Sequence, residues 1–555
     1  MKRFKIIALV VAVLMSFSAF SGCFYEPERN YTPAYPEYGN YPINNPHYSE
    51  RQYVEPDKEA IAECMDLVIT LANDPSAFDD MCEEREDFYG YYYEVLNSNS
   101  LARLDYYLNV KDEALGERQQ AIYSYAIELN NQTFEMEKAI FNGVHGEKMR
   151  EILGEDYYNM VMNYNVKDEA FLELEEKVNA LTVEYGALSS NNYADTDRLA
   201  EVYIELITTQ NEIARRTVGP DGQPIYNNYF ELSYAEIFGR DYTPDEAVGF
   251  RDSIKTNIGA FRDFVYGNYK SGYTADKTLS TKEIKNYMPK IINNTAPQMI
   301  NSWNYMMERG LYDFEVSNTK MGTSFVTEFS AYDDAFLFLG ARNSLLSDLN
   351  TVIHEFGHYN AVFGVDPEKA GESTSSYDLL ETHSQAFELV SLPAVEKVLD
   401  NYYTQTYRES YIFNMMLNMA WSMLFNSAID EFEYSVFTAD PAILSKNYLS
   451  NSFSKIMNKY WPYGVGYEFY EIPHIFESPA YCISYATSLV FSSVIWGAEN
   501  NVEKYLEVVS YGADHPLGYV VEQTGLSDPL DPETVANVGT HFIEYCAEYF
   551  GWKIK

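Results

Sequence analysis

His354-Glu355-Phe356-Gly357-His358 is the stretch on which the reading of this chain turns. On an α-helix, positions i and i+4 share a face, so His354 and His358 offer two imidazole nitrogens to one metal. Glu355 stands beside them, within reach of a water on that metal. Two His and a carboxylate leave a fourth position open, which is the catalytic arrangement of zinc rather than the structural one. The helix is plausible on its own terms. Leu349, Val352, Ile353 and Phe356 supply apolar faces, and Ser347 or Asp348 can cap its start.

A third ligand has to come from downstream, where Glu372, Asp378, Glu381, His383 and Glu388 are the candidates. Asp378 to Val390 reads as a second helix on which Glu381, Ser384, Gln385 and Glu388 share one face and His383 points elsewhere. Either Glu381 or Glu388 is then the ligand and the other its support, and spacing alone does not choose. Further on, Ile472 to Ala486 carries His474, Tyr481 and Tyr485. A zinc hydrolase needs donors aimed at the oxyanion that develops in its transition state, and an imidazole or a phenol suits that task. His145, His383, His515 and His541 read as ordinary packing or surface histidines.

Outward from this region the body reads as helical. Ile61, Cys64, Met65, Val68 and Leu71 recur at helical spacing, as do the apolar positions of Asp168 to Leu188 and Asp195 to Ile213. Gly219-Pro220-Asp221-Gly222 is a turn, and Thr243-Pro244-Asp245-Glu246 opens a new helix with a cap, a proline and first-turn acids. Two short β-prone runs, Thr323 to Phe329 and Ala335 to Leu339, break the pattern and read as a hairpin or small sheet. An exposed edge near Thr323 to Thr327 or Ala335 to Leu339 could hold a peptide by strand addition. The acidic runs Cys82 to Asp87 and Glu173 to Glu176 read as solvated faces.

The chain has 555 residues with 46% hydrophobic and 22% charged, which favours a globular body and disfavours both general disorder and a polytopic membrane protein. A net charge of −44 repels phosphate backbones, so nucleic acid is a poor partner. At the N-terminus, Lys2, Arg3 and Lys5 precede an apolar run from Ile6 to Phe20 and the ending Ser21-Gly22-Cys23. This resembles a bacterial lipoprotein signal, with Phe20 where that pattern usually has Leu. Cleavage before Cys23, lipid on Cys23 and an extracytoplasmic location attached to the cell membrane are the expectation. Phe24 to Pro56, rich in Pro, Tyr and Asn, reads as an extended tether. Cys64, Cys82, Cys482 and Cys546 are too few for a disulfide framework; Cys64 and Cys82 are close enough in sequence to bridge in an oxidising compartment, but free thiols are the favoured reading.

These residues resemble the oligopeptidases typified by oligoendopeptidase F and thimet oligopeptidase, in which His-Glu-x-Gly-His is followed on the next helix by Glu-x-x-Ser-x-x-x-Glu. Glu381-x-x-Ser384-x-x-x-Glu388 matches, with Glu381 lying 27 residues after His354. The resemblance makes Glu381 the third ligand and Glu388 its support, and it matches Asp348 to a position usually acidic. It extends to Arg240-Asp241-Tyr242-Thr243, which opens the catalytic half, to Ile472 through Ala486 as the substrate-binding segment, and to Gly512 through Pro529. Gly322-Thr323-Ser324 departs from the family, which usually has Gly-Ala-Tyr there.

The resemblance implies a mainly α fold: a large helical metallopeptidase body with a deep substrate channel and a small β-sheet near the zinc helix. The expected divisions are a signal peptide at 1–22, a lipidated Cys and tether at 23–56, an N-terminal helical region at 57–228 and a catalytic region at 229–555. One zinc ion on His354, His358 and Glu381, Glu355 as general base and short peptides as substrates complete the expectation. A peptide-binding surface lipoprotein, or an adhesive protein with a degenerate peptidase fold, would share the signal and acidic body without needing Glu355 or three ligands. The intact set argues against both.

Overall fold

Helical spacing in the sequence is met by helices almost throughout. The computed structural model describes residues 33–164, 169–190, 193–219, 222–268, 279–340, 345–371 and 375–554. The fold is mainly helical with one small sheet, as expected. The signal segment 1–22, Cys23, the start of the tether, Glu372 and residues 220–221 of the expected turn lie outside the described residues. Among the described residues, no helix is long and apolar enough to cross a membrane.

The chain forms two compact units, Met1–Lys167 with Gln298–Arg342, and Asp168–Pro297 with Asn343–Lys555. This division differs from the expected one between residues 228 and 229, and packing explains why. Tyr185 stacks on Phe476 at 3.9 Å, and Tyr203 lies 4.9 Å from Phe476 and 5.7 Å from Phe469. Those aromatic contacts tie the helices Glu169–Ser190 and Thr196–Arg216 to the second unit.

In the first unit, helix Lys58–Leu71 buries Ile61, Cys64, Met65 and Val68, the spaced residues that predict it. Its core continues through Phe88, Tyr92, Leu129 and Ile140 on the long helices Phe78–Leu108 and Glu113–Asn142. In the run Cys82 to Asp87, Glu83, Glu86 and Asp87 are exposed, while Arg85 turns inward to Glu137 at 2.7 Å. Three strands, β1 (Tyr312–Asp313), β2 (Phe325–Phe329) and β3 (Asp334–Phe338), form a sheet of order β1-β3-β2. β2 runs antiparallel to β3 with Phe325 opposite Phe338, and β1 is parallel to β3. β3 is the central strand, paired with β2 along its length and with β1 at Leu337 and Phe338, so that part of the Ala335 to Leu339 run is no open edge. β2 is an edge, but Ser100 Oγ already donates to Glu328 O at 3.1 Å.

The tether reading needs correction from Pro33 onward. Residues 33–56 are bonded to the first unit rather than extended from it. Asn301 Oδ1 accepts from Ala34 N at 2.9 Å, Tyr305 donates to Pro42 O at 3.1 Å, and Arg309 reaches Ile43 O and Asn45 O. Arg51 pairs with Asp334 at 2.6 Å with both side chains fully buried. Removing one partner of such a pair typically costs about 3–5 kcal/mol. A strap held by side chain to backbone bonds needs no apolar period, which is why composition alone reads it as linker.

In the second unit, Thr243 and Glu246 close a reciprocal cap, Thr243 N to Glu246 Oε2 at 2.8 Å and Glu246 N to Thr243 Oγ1 at 3.3 Å, at the start of helix Pro244–Asn268. That helix packs against Gln405–Phe437 and Pro532–Phe550. The metal helix (Leu345–Gly364) lies on the carboxylate helix (Tyr377–Val390), which in turn packs on the tyrosine helix (Ile483–Gly497). Cys64, Cys482 and Cys546 are buried and Cys82 is half-buried, all as free thiols.

Candidate metal centre

Two helices can share a metal only if they approach closely, and Gly357 permits that. A β-carbon there would lie 2.6 Å from Ser384 Cα and 2.8 Å from His383 O. The backbone of the carboxylate helix thus sits where a side chain would be. This contact brings Glu381 opposite the two imidazoles, with Glu381 Oε2 3.5 Å from His354 Nε2 and 3.8 Å from His358 Nε2. One ligand atom from each of His354, His358 and Glu381 lies within 4.8 Å of the others. Tetrahedral zinc with bonds of about 2.0–2.1 Å needs donor atoms about 3.3 Å apart. Both His–Glu separations are close to that value, and donors within 4.8 Å of one another close on such an ion by drawing inward.

For His354 and Glu381, the remaining side-chain atoms are held by partners that aim them. His354 Nδ1 lies 2.8 Å from Glu388 Oε1, so Nε2 is left to face Glu381. Asn350 Nδ2 donates to Glu388 Oε2 at 3.2 Å, and Tyr411 donates to Asn350 Oδ1. Glu381 Oε1 accepts from the Tyr481 hydroxyl at 2.6 Å, and Ser384 Oγ caps the Glu381 carbonyl at 2.9 Å. Of the two carboxylates left open by spacing, Glu381 thus faces both imidazoles and Glu388 backs one of them.

Electrostatics favour a cation here. Burial depresses the His354 imidazole, but the Glu388, Glu381 and Glu355 carboxylates outweigh it and lift it to about 9. Burial raises Glu355 to about 7, with Glu381 and Glu388 adding to the effect and His354 opposing it. Burial also raises Glu381 and depresses His358 well below the ordinary imidazole value. Two buried carboxyls and the half-buried Glu388 around two imidazoles form a site that gains by taking up positive charge.

His474, Tyr481 and Tyr485 are brought together beside this set. The His474 ring lies 5.6 Å from Tyr481 and 6.0 Å from Tyr485, and the two phenol rings are 5.0 Å apart. Tyr481 packs between Phe238 at 5.5 Å and Tyr377 at 5.7 Å. The geometry distinguishes Tyr481 from Tyr485, since only Tyr481 bonds to Glu381.

The chain matches no family model and no curated protein. Solved structures do resemble it. A putative oligoendopeptidase F aligns with a TM-score of 0.73 at 17% identity over 90% of this chain and 98% of that one. PZ peptidase A with an inhibitor gives 0.70 at 16%, over 90% and 99%. A putative oligoendopeptidase F from Bacillus anthracis gives 0.70 at 16%, over 92% and 99%. This chain shares the fold of those proteins.

Asp348 does not cap the metal helix as expected, because the helix starts earlier, at Leu345. Asp348 is buried in the first turn and accepts from Leu279 N at 3.1 Å, which joins the helix start to the segment before it. His145 bonds to Asp74 O and His515 to Lys369 O, each at 2.7 Å, and His541 stacks on Trp496, so their reading as packing residues stands. Sequence reasoning missed Asn350 and Tyr411. Asn350 lies four residues before His354 on the same helix face, a signal that was available; Tyr411, on helix Gln405–Phe437, gave none.

Proposed function

We propose that this protein is an extracytoplasmic zinc metallopeptidase that hydrolyses short peptides, anchored to the membrane by lipid on Cys23. The observation that carries the reading is the convergence of His354 Nε2, His358 Nε2 and Glu381 Oε2, with His354 aimed by Glu388 and Glu381 by Tyr481, beside a Glu355 raised to about 7. The shared fold with proteins described as oligoendopeptidases supports it.

His354, His358 and Glu381 would hold the zinc. The chemistry that zinc supplies when bound is Lewis acidity towards the scissile carbonyl and the attacking water. Glu355 would take the proton from the attacking water and later deliver it to the leaving amine, roles that a buried carboxyl beside the ligands can serve. Glu388 fixes the His354 tautomer through Nδ1, with Asn350 and Tyr411 behind it. Tyr481 orients Glu381, which leaves the neighbouring Tyr485 hydroxyl, with His474 beside it, to meet the carbonyl oxygen as it gains charge. One such donor is typically worth about 100- to 1,000-fold in rate.

Digestion of a mixture of short peptides by the zinc-loaded protein, read by mass spectrometry with and without a chelator, tests the activity. Cleavage that stops with the chelator and returns with zinc is expected; bound zinc with no cleavage would refute it. For the anchor, Cys23→Ala should abolish fatty-acid incorporation and release the protein from membrane fractions. Stable attachment needs more than one acyl chain. An unlipidated parent protein free in the medium would refute the location.

A further inference from the structure

The turn that carries Tyr481 has an unusual backbone. Ala480 is fully buried and sits at φ +69°, in the left-handed region that a residue with a β-carbon adopts only where its surroundings hold it. Its peptide groups are gripped on both sides. Ala480 N donates to Glu433 Oε1 at 3.2 Å, and Ala480 O accepts from Arg240 Nη2 at 2.8 Å. The same Arg240 nitrogen donates to Ser484 Oγ at 2.7 Å, on the next turn of the segment.

Arg240 is itself fixed. Its side chain has no solvent exposure, its guanidinium lies 4.3 Å over the Tyr234 ring, and its Nε is 3.7 Å from Asp378 Oδ1. Asp378 stands three residues before Glu381 on the carboxylate helix and also accepts from Tyr242 at 2.9 Å. Arg240 therefore links the helix that carries Glu381 to the turn that carries its hydrogen-bond donor. The clamp extends to Tyr481 itself, whose carbonyl also accepts from Arg240 Nη2 at 3.4 Å and whose hydroxyl meets Glu381 Oε1 at 2.6 Å.

We propose that Arg240 and Glu433 clamp the left-handed peptide at Ala480, and that this clamp holds the Tyr481 hydroxyl on Glu381 and so presets Glu381 for the metal. Both are positioning residues, and the proposal rests on the reading of His354, His358 and Glu381 as a metal set. Burial pushes the Glu433 carboxyl well above its ordinary range, and glutamine is its near isostere with the acceptor oxygen retained.

Zinc affinity of the full chain, measured by competition with a chromophoric chelator, tests this without recourse to catalysis. Tyr481→Phe and Glu433→Met should each weaken zinc about 10- to 100-fold. Their combination should be no weaker than the worse single variant, because both act through one hydrogen bond. Glu433→Gln keeps the acceptor oxygen and should bind zinc like the parent. Ser484→Ala should give a smaller loss that likewise vanishes on a Tyr481→Phe background. If Glu433→Met does not fold, the Ser484 and Tyr481 pair decides the matter in the same way. Parental affinity in Glu433→Met, or losses that multiply in the double variants, would overturn the clamp. A parent that binds no zinc would instead overturn the metal reading beneath it, and the clamp with it.

Discussion

Gly357→Ala is the smallest change that tests how the two metal-bearing helices are assembled. The added methyl would lie 2.6 Å from Ser384 Cα and 2.8 Å from His383 O, where ordinary contact begins near 3.4 Å. The approach is therefore about 0.8 Å too close, and both neighbours are backbone, so no side-chain rotation relieves it. The carboxylate helix has to move as a body. Glu381, three residues before Ser384, moves with it, away from imidazole nitrogens now 3.5 and 3.8 Å distant. Two opposing terms act on stability. Alanine gains about 1 kcal/mol over glycine inside a helix, and overpacking costs about 1–3 kcal/mol. Thermal unfolding of the metal-free protein should thus show a loss of at most about 2 kcal/mol. Zinc affinity by chelator competition should fall more than about tenfold, since supporting geometry at metal sites is typically worth about 10- to 100-fold. A more stable protein with parental zinc affinity would refute the reasoning.

Three other outcomes follow from the geometry. Glu381→Gln should cost more zinc affinity than Glu388→Gln, because it removes a ligand charge rather than a partner of His354; equal or reversed losses would contradict the assignment. Tyr485→Phe should lower kcat about 100- to 1,000-fold with KM and zinc content nearly unchanged, and full activity in single-turnover measurements would remove it from the mechanism. Glu433 has its carboxyl raised on folding, so the folded state holds a proton that the unfolded chain, near 4.5, gives up. The parent's stability from this group is complete below 4.5 and is lost as pH rises. Glu433→Gln, which cannot lose it, should gain thermal stability over the parent as pH rises above the ordinary carboxylate range, and parallel curves would contradict the raised carboxyl.

The metal set was legible because its geometry is local. His354 and His358 are one helical turn apart, and Glu381 and Glu388 share a face of the next helix, so spacing and resemblance together place all four. Spacing could not separate Glu381 from Glu388, nor Tyr481 from Tyr485. The first choice depends on how closely Gly357 lets two helices meet, and the second on a left-handed Ala480 held from the distant residues Arg240 and Glu433. Helices with an apolar stripe were readable from period alone, as Ile61 to Val68 show. The strap at 33–56 was not, because its order comes from Asn301, Arg309 and Asp334, more than two hundred residues away in the chain. β1 is two residues long and pairs in parallel with β3, too short for any pattern to mark it.

The central claim is that Glu355 moves a proton at a centre held by His354, His358 and Glu381. Glu355→Gln tests it most directly, with zinc stoichiometry and single-turnover peptide hydrolysis measured on the same preparation. Zinc content should equal the parent's, because the ligands are untouched, while hydrolysis falls by about two to four orders of magnitude. Near-parental turnover at full zinc loading would contradict the account.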